Sequence, residues 1–169
     1  MDNYTEQILK AKPALKYNLM MAGAIAVTAV GVFFLFCVSG TLGITLIVVG
    51  AFLIALAVNL RNYEYEYAFT NGDCDIARIV NRSSRKDVYS FDEGDVLRVV
   101  PYTSEKFQNE MQVNDKLAIR DFTSGDKAHE DAWYAFLISR NDVTTAVLLE
   151  LNKKSVQHVK KALKSKAEF

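Results

Sequence analysis

"RNYEYEYAFTNGDCDIARI", residues 61–79, alternates aromatic and acidic side chains directly after an apolar run. Tyr63, Tyr65, Tyr67 and Phe69 fall on one face of an extended chain and Glu64 and Glu66 on the other, because successive strand side chains point to opposite sides. This period of two predicts a half-buried strand, aromatic face inward and glutamates toward water. Asn71-Gly72 follows with the residue types a tight hairpin turn wants, since both tolerate positive φ. "DIARIV" then returns with Ile76 and Val80 among its apolar positions.

Downstream, the same reading continues through "RKDVYSF", "DVLRVVPY", "KLAIRDF", "AWYAFLISR" and "VTTAVLLEL", which makes seven strands. "TSEKFQNEMQVND" is a less regular connection, and "TSGDKAHED" is a loop. The chain closes with "NKKSVQHVKKALKSKAEF". There Val156, Val159 and Leu163 recur at helical spacing and Asn152 suits an N-cap. Lysines 153, 154, 160, 161, 164 and 166 cover the rest of that helix, with His158 placed on its polar side.

Upstream, no Asp, Glu, Lys or Arg occurs from Tyr17 to Leu60. A membrane-spanning helix needs about 20 apolar residues, so the stretch fits two, over 18–38 and 43–60, joined by the small, flexible "SGTLG". A secretory signal is too short to account for it. Cys37 is no lipoprotein site, because Phe36 stands where a small residue is required. Small residues (Ala22, Gly23, Ala26, Gly31, Gly50, Ala51, Ala55) allow close helix approach, within the hairpin or between copies.

Lys10, Lys12 and Lys16 precede the first span and Arg61 ends the second, while the connecting turn is uncharged. Lys and Arg beside spans stay cytoplasmic. The expected organisation is a cytosolic juxtamembrane segment (1–17), a transmembrane hairpin (18–60) and a cytosolic soluble domain (61–169). The two cysteines, Cys37 and Cys74, lie in a span and a strand and form no disulfide framework, in keeping with a reducing compartment.

Two cytosol-facing spans followed by seven antiparallel strands and a C-terminal helix resemble the bacterial pleckstrin-homology-like (PH-like) membrane proteins. "MDNYTEQILKAKP" and "YEYEYAFTNGDCDIARI" are similar to a domain-of-unknown-function family of small bacterial membrane proteins. The resemblance implies an α+β membrane protein, with a PH-like sandwich or barrel behind the hairpin. The only Trp, Trp133, falls in the sixth strand rather than the terminal helix, so eukaryotic inositide chemistry is not implied.

Motifs that carry chemistry are sparse. Ser83-Ser84-Arg85-Lys86 matches a Ser-x-x-Lys pattern but sits in a strand-to-strand turn, not at the start of a buried helix. Asp126, His129, Glu130 and Asp131 cluster in a polar loop holding one histidine, weak for a metal site. Asn3-Tyr4-Thr5 and Asn81-Arg82-Ser83 are glycosylation sequons that a cytosolic location leaves inert. No catalytic residue, cofactor or metal is expected. Lys+Arg and Asp+Glu both count 20, which gives no indication of bulk nucleic-acid binding.

The basic turn Arg82, Arg85 and Lys86 is the one candidate surface. If the first strand leaves the membrane outward, the second returns and brings this turn toward anionic lipid, where each cation contributes about 1 kcal/mol. The expectation is a membrane-tethered, non-enzymatic binding module at the inner leaflet, for a protein segment, anionic lipid or a second copy. The alternative is an accessory subunit of a transporter or envelope complex that meets its partner through the hairpin.

Overall fold

The computed structural model describes residues 3–12, 15–61, 63–80, 83–113, 117–141 and 143–169. They divide into two compact units: Lys12–Tyr63, and the residues on both sides of it in the chain.

The first unit is a pair of helices, α1 (Leu15–Cys37) and α2 (Gly40–Arg61), each long and apolar enough to cross a membrane. The turn is shorter than expected. Helix α2 begins at Gly40, and Gly43 already donates its N–H to the Ser39 carbonyl at 2.9 Å. Ala24 and Ala57 are buried between the helices. At Gly43 a Cβ would meet the Leu35 backbone, and at Gly50 it would meet the Thr28 hydroxyl, which donates to the Ala24 carbonyl at 2.9 Å. These small residues therefore serve packing inside the hairpin, whereas Gly23 faces open space. Gly43→Leu or Gly50→Leu is expected to cost about 1–3 kcal/mol by overpacking, and Gly23→Leu close to nothing. Thermal melts in mild detergent measure the difference.

Among the described residues the second unit holds eight strands, one more than the sequence pattern suggests. The additional one is β1 (Tyr4–Lys10), within the stretch expected to be a juxtamembrane segment. It pairs antiparallel with β2 (Tyr63–Thr70) from Tyr4↔Thr70 to Lys10↔Glu64. The helical hairpin is thus inserted between two adjacent strands. With β3 (Asp73–Val80) and β4 (Ser84–Phe91) they form a sheet in the order β1-β2-β3-β4. Asn71 takes the left-handed region at φ 55° in the turn after β2, the conformational freedom expected of the Asn-Gly pair.

The second sheet has the order β5-β7-β8-β6, from β5 (Val96–Pro101), β6 (Ala118–Asp121), β7 (Trp133–Arg140) and β8 (Val143–Glu150). Short strand β6 runs parallel to β8, so this sheet is mixed rather than wholly antiparallel, and the two sheets do not close into a barrel. The cause is the connection before β6. Instead of an irregular loop it contains a helix, α3 (Glu105–Val113), which carries the chain across the sheet to its far edge. Ser104 Oγ accepts the Phe107 N–H at 3.3 Å, capping α3. Arg98–Glu110 (2.5 Å) and Lys106–Glu168 (2.7 Å) ion pairs hold it in place.

The main core lies between the sheets: Tyr67, Phe69, Cys74, Ile76 and Phe91 from the first, Val99, Phe136, Ile138, Val147 and Leu149 from the second. A smaller cluster of Val100, Phe107, Ala135, Leu137, Ala146 and Leu148 lies under α3. Strands β7 and β8 are therefore buried on both faces, which is why "AWYAFLI" and "AVLL" run apolar without alternation. Helix α4 (Lys153–Leu163) seats Val159 and Leu163 on the main core, and Asn152 Oδ1 caps it by accepting the Ser155 N–H at 2.8 Å. It ends earlier than the sequence pattern suggests. Lys164 turns the backbone at φ 47°, and Glu168 N then donates to the Val99 carbonyl at 2.9 Å.

Candidate functional site

In an antiparallel meander, the Lys10/Glu64 end of the first sheet is also the end where β3 finishes and β4 starts, at the Val80↔Ser84 pair. The expected basic turn belongs to this end. Arg82 lies outside the described residues. Arg85 opens β4 beside Ser84, but its charge is engaged. Its Nε and Nη2 each donate to a different Glu66 carboxylate oxygen at 3.0 Å, and Asp87 lies 3.6 Å from Nη1. This carboxylate contact raises the guanidinium pKa further. Lys86 is exposed and, among the described residues, has no carboxylate partner. Glu66, expected to face water, keeps only 13% of its side-chain surface because Arg85 lies over it.

Beside Arg85, a surface cleft of about 400 Å³ is lined by Asp75, Asp87, Val88, Tyr89 and Ser90. Its outer wall is β4, the edge of the sheet, exposed over most of its length. Arg85, Lys86 and Asp87 on that edge discourage pairing with a further strand. Ser83 lies in the turn ahead of β4 and Lys86 within the strand. Among the described residues, no buried helix start accompanies this Ser-x-x-Lys sequence.

Of the residues expected to flank a membrane, Lys10 ends β1 and Lys12 follows it, both exposed. Lys16 lies in the first turn of α1, and Arg61 is the last residue of α2.

The "DKAHED" loop forms a short 3-10 segment, Lys127–Ala132, and Asp126 Oδ1 accepts the Ala128 N–H at 3.1 Å. His129 Nδ1 stands 3.9 Å from both Asp126 Oδ2 and Glu150 Oε1. Among the described residues, no group of three or more His, Cys, Asp or Glu converges in a way that could hold a metal ion.

Glu150 is the charged residue that sequence reading passed over. It is almost fully buried, and Oε2 accepts from Ser124 N (3.1 Å) and Trp133 Nε1 (3.2 Å). A glutamate closing an apolar strand was the available signal. These donors satisfy the buried carboxylate, as its desolvation demands, so it ties a loop and an indole to β8.

Gln7 does the same for β1. Its Nε2 donates to the Glu150 carbonyl (2.7 Å), and its Oε1 accepts from Asn152 N (3.0 Å) and Ser155 Oγ (2.8 Å). His158, expected on the polar side of α4, is instead buried. Its ring packs 5.8 Å from that of Phe69, and Nε2 lies 2.8 Å from the Asn71 carbonyl. A carbonyl only accepts, so Nε2 carries the proton. Burial among apolar side chains also pushes the Cys74 thiol pKa well up, leaving an inert cysteine.

Comparison with known proteins follows the architecture. No curated protein and no solved structure matches the chain. One family model, described as a bacterial PH-like domain (DUF6106), matches residues 1–169. Two strand layers closed by a C-terminal helix are what that description calls for, and the chain belongs to this bacterial PH-like domain family.

Proposed function

We propose that the chain is a membrane-tethered, non-enzymatic binding module. In this reading the two apolar helices cross the cell membrane as a hairpin and hold the PH-like domain at the cytoplasmic face. There it binds a protein segment, anionic lipid or a second copy of itself. The observation that carries the proposal is the pairing of β1 with β2 on either side of the helices. Two strands that pair along their full length must lie on one side of a bilayer, so the helices between them cross an even number of times. The side follows from Lys10, Lys12, Lys16 and Arg61 around an uncharged connection.

Cysteine labelling in intact cells tests it, in a Cys37→Ser background. Thiols introduced at Ser39 or Thr41 should react with an impermeant reagent, and one at Ser165 should not. The reverse pattern sinks the assignment of the cytoplasmic side. A partner that remains bound to residues 12–63 alone would move the binding function from the domain to the hairpin.

A further inference from the structure

Residues 164–169 form an arm that leaves α4 and lies along β5, the edge strand of the second sheet. Ala167 bridges in parallel to Val99, and Glu168 N donates to the Val99 carbonyl at 2.9 Å. Lys166 Nζ donates to the Glu93 carbonyl at 2.8 Å, and Glu168 Oε2 accepts from Lys106 Nζ at 2.7 Å. The Phe169 ring lies 4.5 Å from that of Tyr134, and with Ala167 it packs against the main core. Backbone, charge and ring contacts thus make a seat specific for this arm, and the arm covers a sheet edge.

The joint between helix and arm is under strain. Lys164 connects the two at φ 47°, ψ −110°. A positive φ is costly for a residue that carries a side chain, and turns usually give such a corner to glycine. The residues around it, Lys164-Ser165-Lys166-Ala167, supply no turn former, and their lysines and alanine favour continuing the helix. Local preference and the closed arm therefore conflict. Lys164 and Ser165 are exposed, which leaves the joint at the surface.

A seat that fits this arm fits the same arm of a second copy equally well. We propose that two copies exchange their C-terminal arms, each laying residues 165–169 along the β5 strand of the other. The contacts of the arm are then kept, now between chains, and Lys164 leaves its left-handed corner. Short hinges under strain favour this kind of exchange. Closed within one chain, a short arm has an effective concentration in the millimolar range. Hinge strain shifts the balance toward exchange by about 5- to 150-fold for each arm, which brings the midpoint into about the micromolar range. This inference rests on the reading of the chain as a binding module and names a second copy, and the surface that receives it, as what the module binds.

The test uses the full chain in neutral detergent. In a Cys37→Ser, Cys74→Ala background, chains carrying Val99→Cys are coexpressed with chains carrying Ala167→Cys and then oxidised. Val99 is fully buried, so a thiol there meets one from another chain only when that chain's arm is seated on β5. A mixed disulfide is expected. Light scattering of the parent chain at increasing protein concentration should show dimer forming in the micromolar range. Lys164→Gly, which suits the closed joint, should raise that midpoint at least about tenfold and leave the monomer as stable or more so in thermal melts. A chain that stays monomeric, a missing mixed disulfide, or a midpoint that Lys164→Gly leaves unchanged overturns the proposal. Because these measurements need no bilayer or orientation, their failure beside a normal labelling pattern rejects arm exchange and leaves the tether intact.

Discussion

A fragment of residues 64–169 will fail to hold a stable fold, whereas residues 3–10 joined through Asn-Gly to 64–169 will unfold cooperatively. Lys10 and Glu64 are register partners, so two residues suffice to close the hairpin in place of the helices. What the shorter fragment lacks is more than a ladder of backbone bonds. The Gln7 amide alone makes three hydrogen bonds, to the end of β8 and the start of α4, contributing about 3 kcal/mol at about 1 kcal/mol each. Leu9 leaves the main core with it, and β2 becomes an open edge. The combined loss approaches the whole stability of a small domain, about 5–15 kcal/mol. Urea titration followed by circular dichroism decides the matter. Equal midpoints for the two chains would show that β1 is an ornament of the sheet.

The second large effect is at Tyr67. The side chain is fully buried, and its hydroxyl donates to the Phe122 carbonyl at 2.6 Å. In the same soluble chain Tyr67→Ala should cost about 3–5 kcal/mol, as emptying a buried aromatic site does. Tyr67→Phe should cost about 1–2 kcal/mol, because the ring stays but a buried carbonyl loses its donor. Tyr65 is only half-buried, its ring edge-on to Phe122 at 5.5 Å, and Tyr65→Ala should cost about 1–2 kcal/mol. Glu66→Ala removes a pair whose arginine is half exposed, so its cost stays within about 1 kcal/mol. Equal losses at 65 and 67 would mean that the aromatic face packs uniformly and that the hydroxyl contact adds nothing.

The hairpin helices and strands β2–β5, β7 and β8 were legible because each obeys a local rule: charge-free length, alternation, turn residues or a continuous apolar run. Strand β1 was not, although "YTEQILK" alternates, because its inward residues are Thr5, Gln7 and Leu9. Two polar side chains out of three do not read as a buried face, and the hydrogen-bond partners of Gln7 lie more than 140 residues away. Helix α3 was hidden for a related reason, since Phe107 and Met111 are its only packed apolar residues. The parallel placement of β6 depends on the path of α3 and has no signature in "AIRD". At the basic turn, composition revealed cations but not the Glu66 carboxylate that engages Arg85 from two strands away.

The insertion of the helices between β1 and β2 also imposes an order in time. The ribosome delivers Ser155 148 residues after Gln7. At synthesis rates of about 5–20 residues per second, that interval is about 7–30 s. Throughout it the first strand is made but has no complete site to occupy. The helices emerge before β2, so in the proposed membrane topology their insertion precedes closure of the sheet. If only one helix inserted, β1 and β2 would be stranded on opposite sides of the bilayer, and the domain could never close. In that proposed topology, folding of the strand-bearing unit doubles as a check that both helices were inserted, and a chain that fails it presents an unfolded domain to proteases.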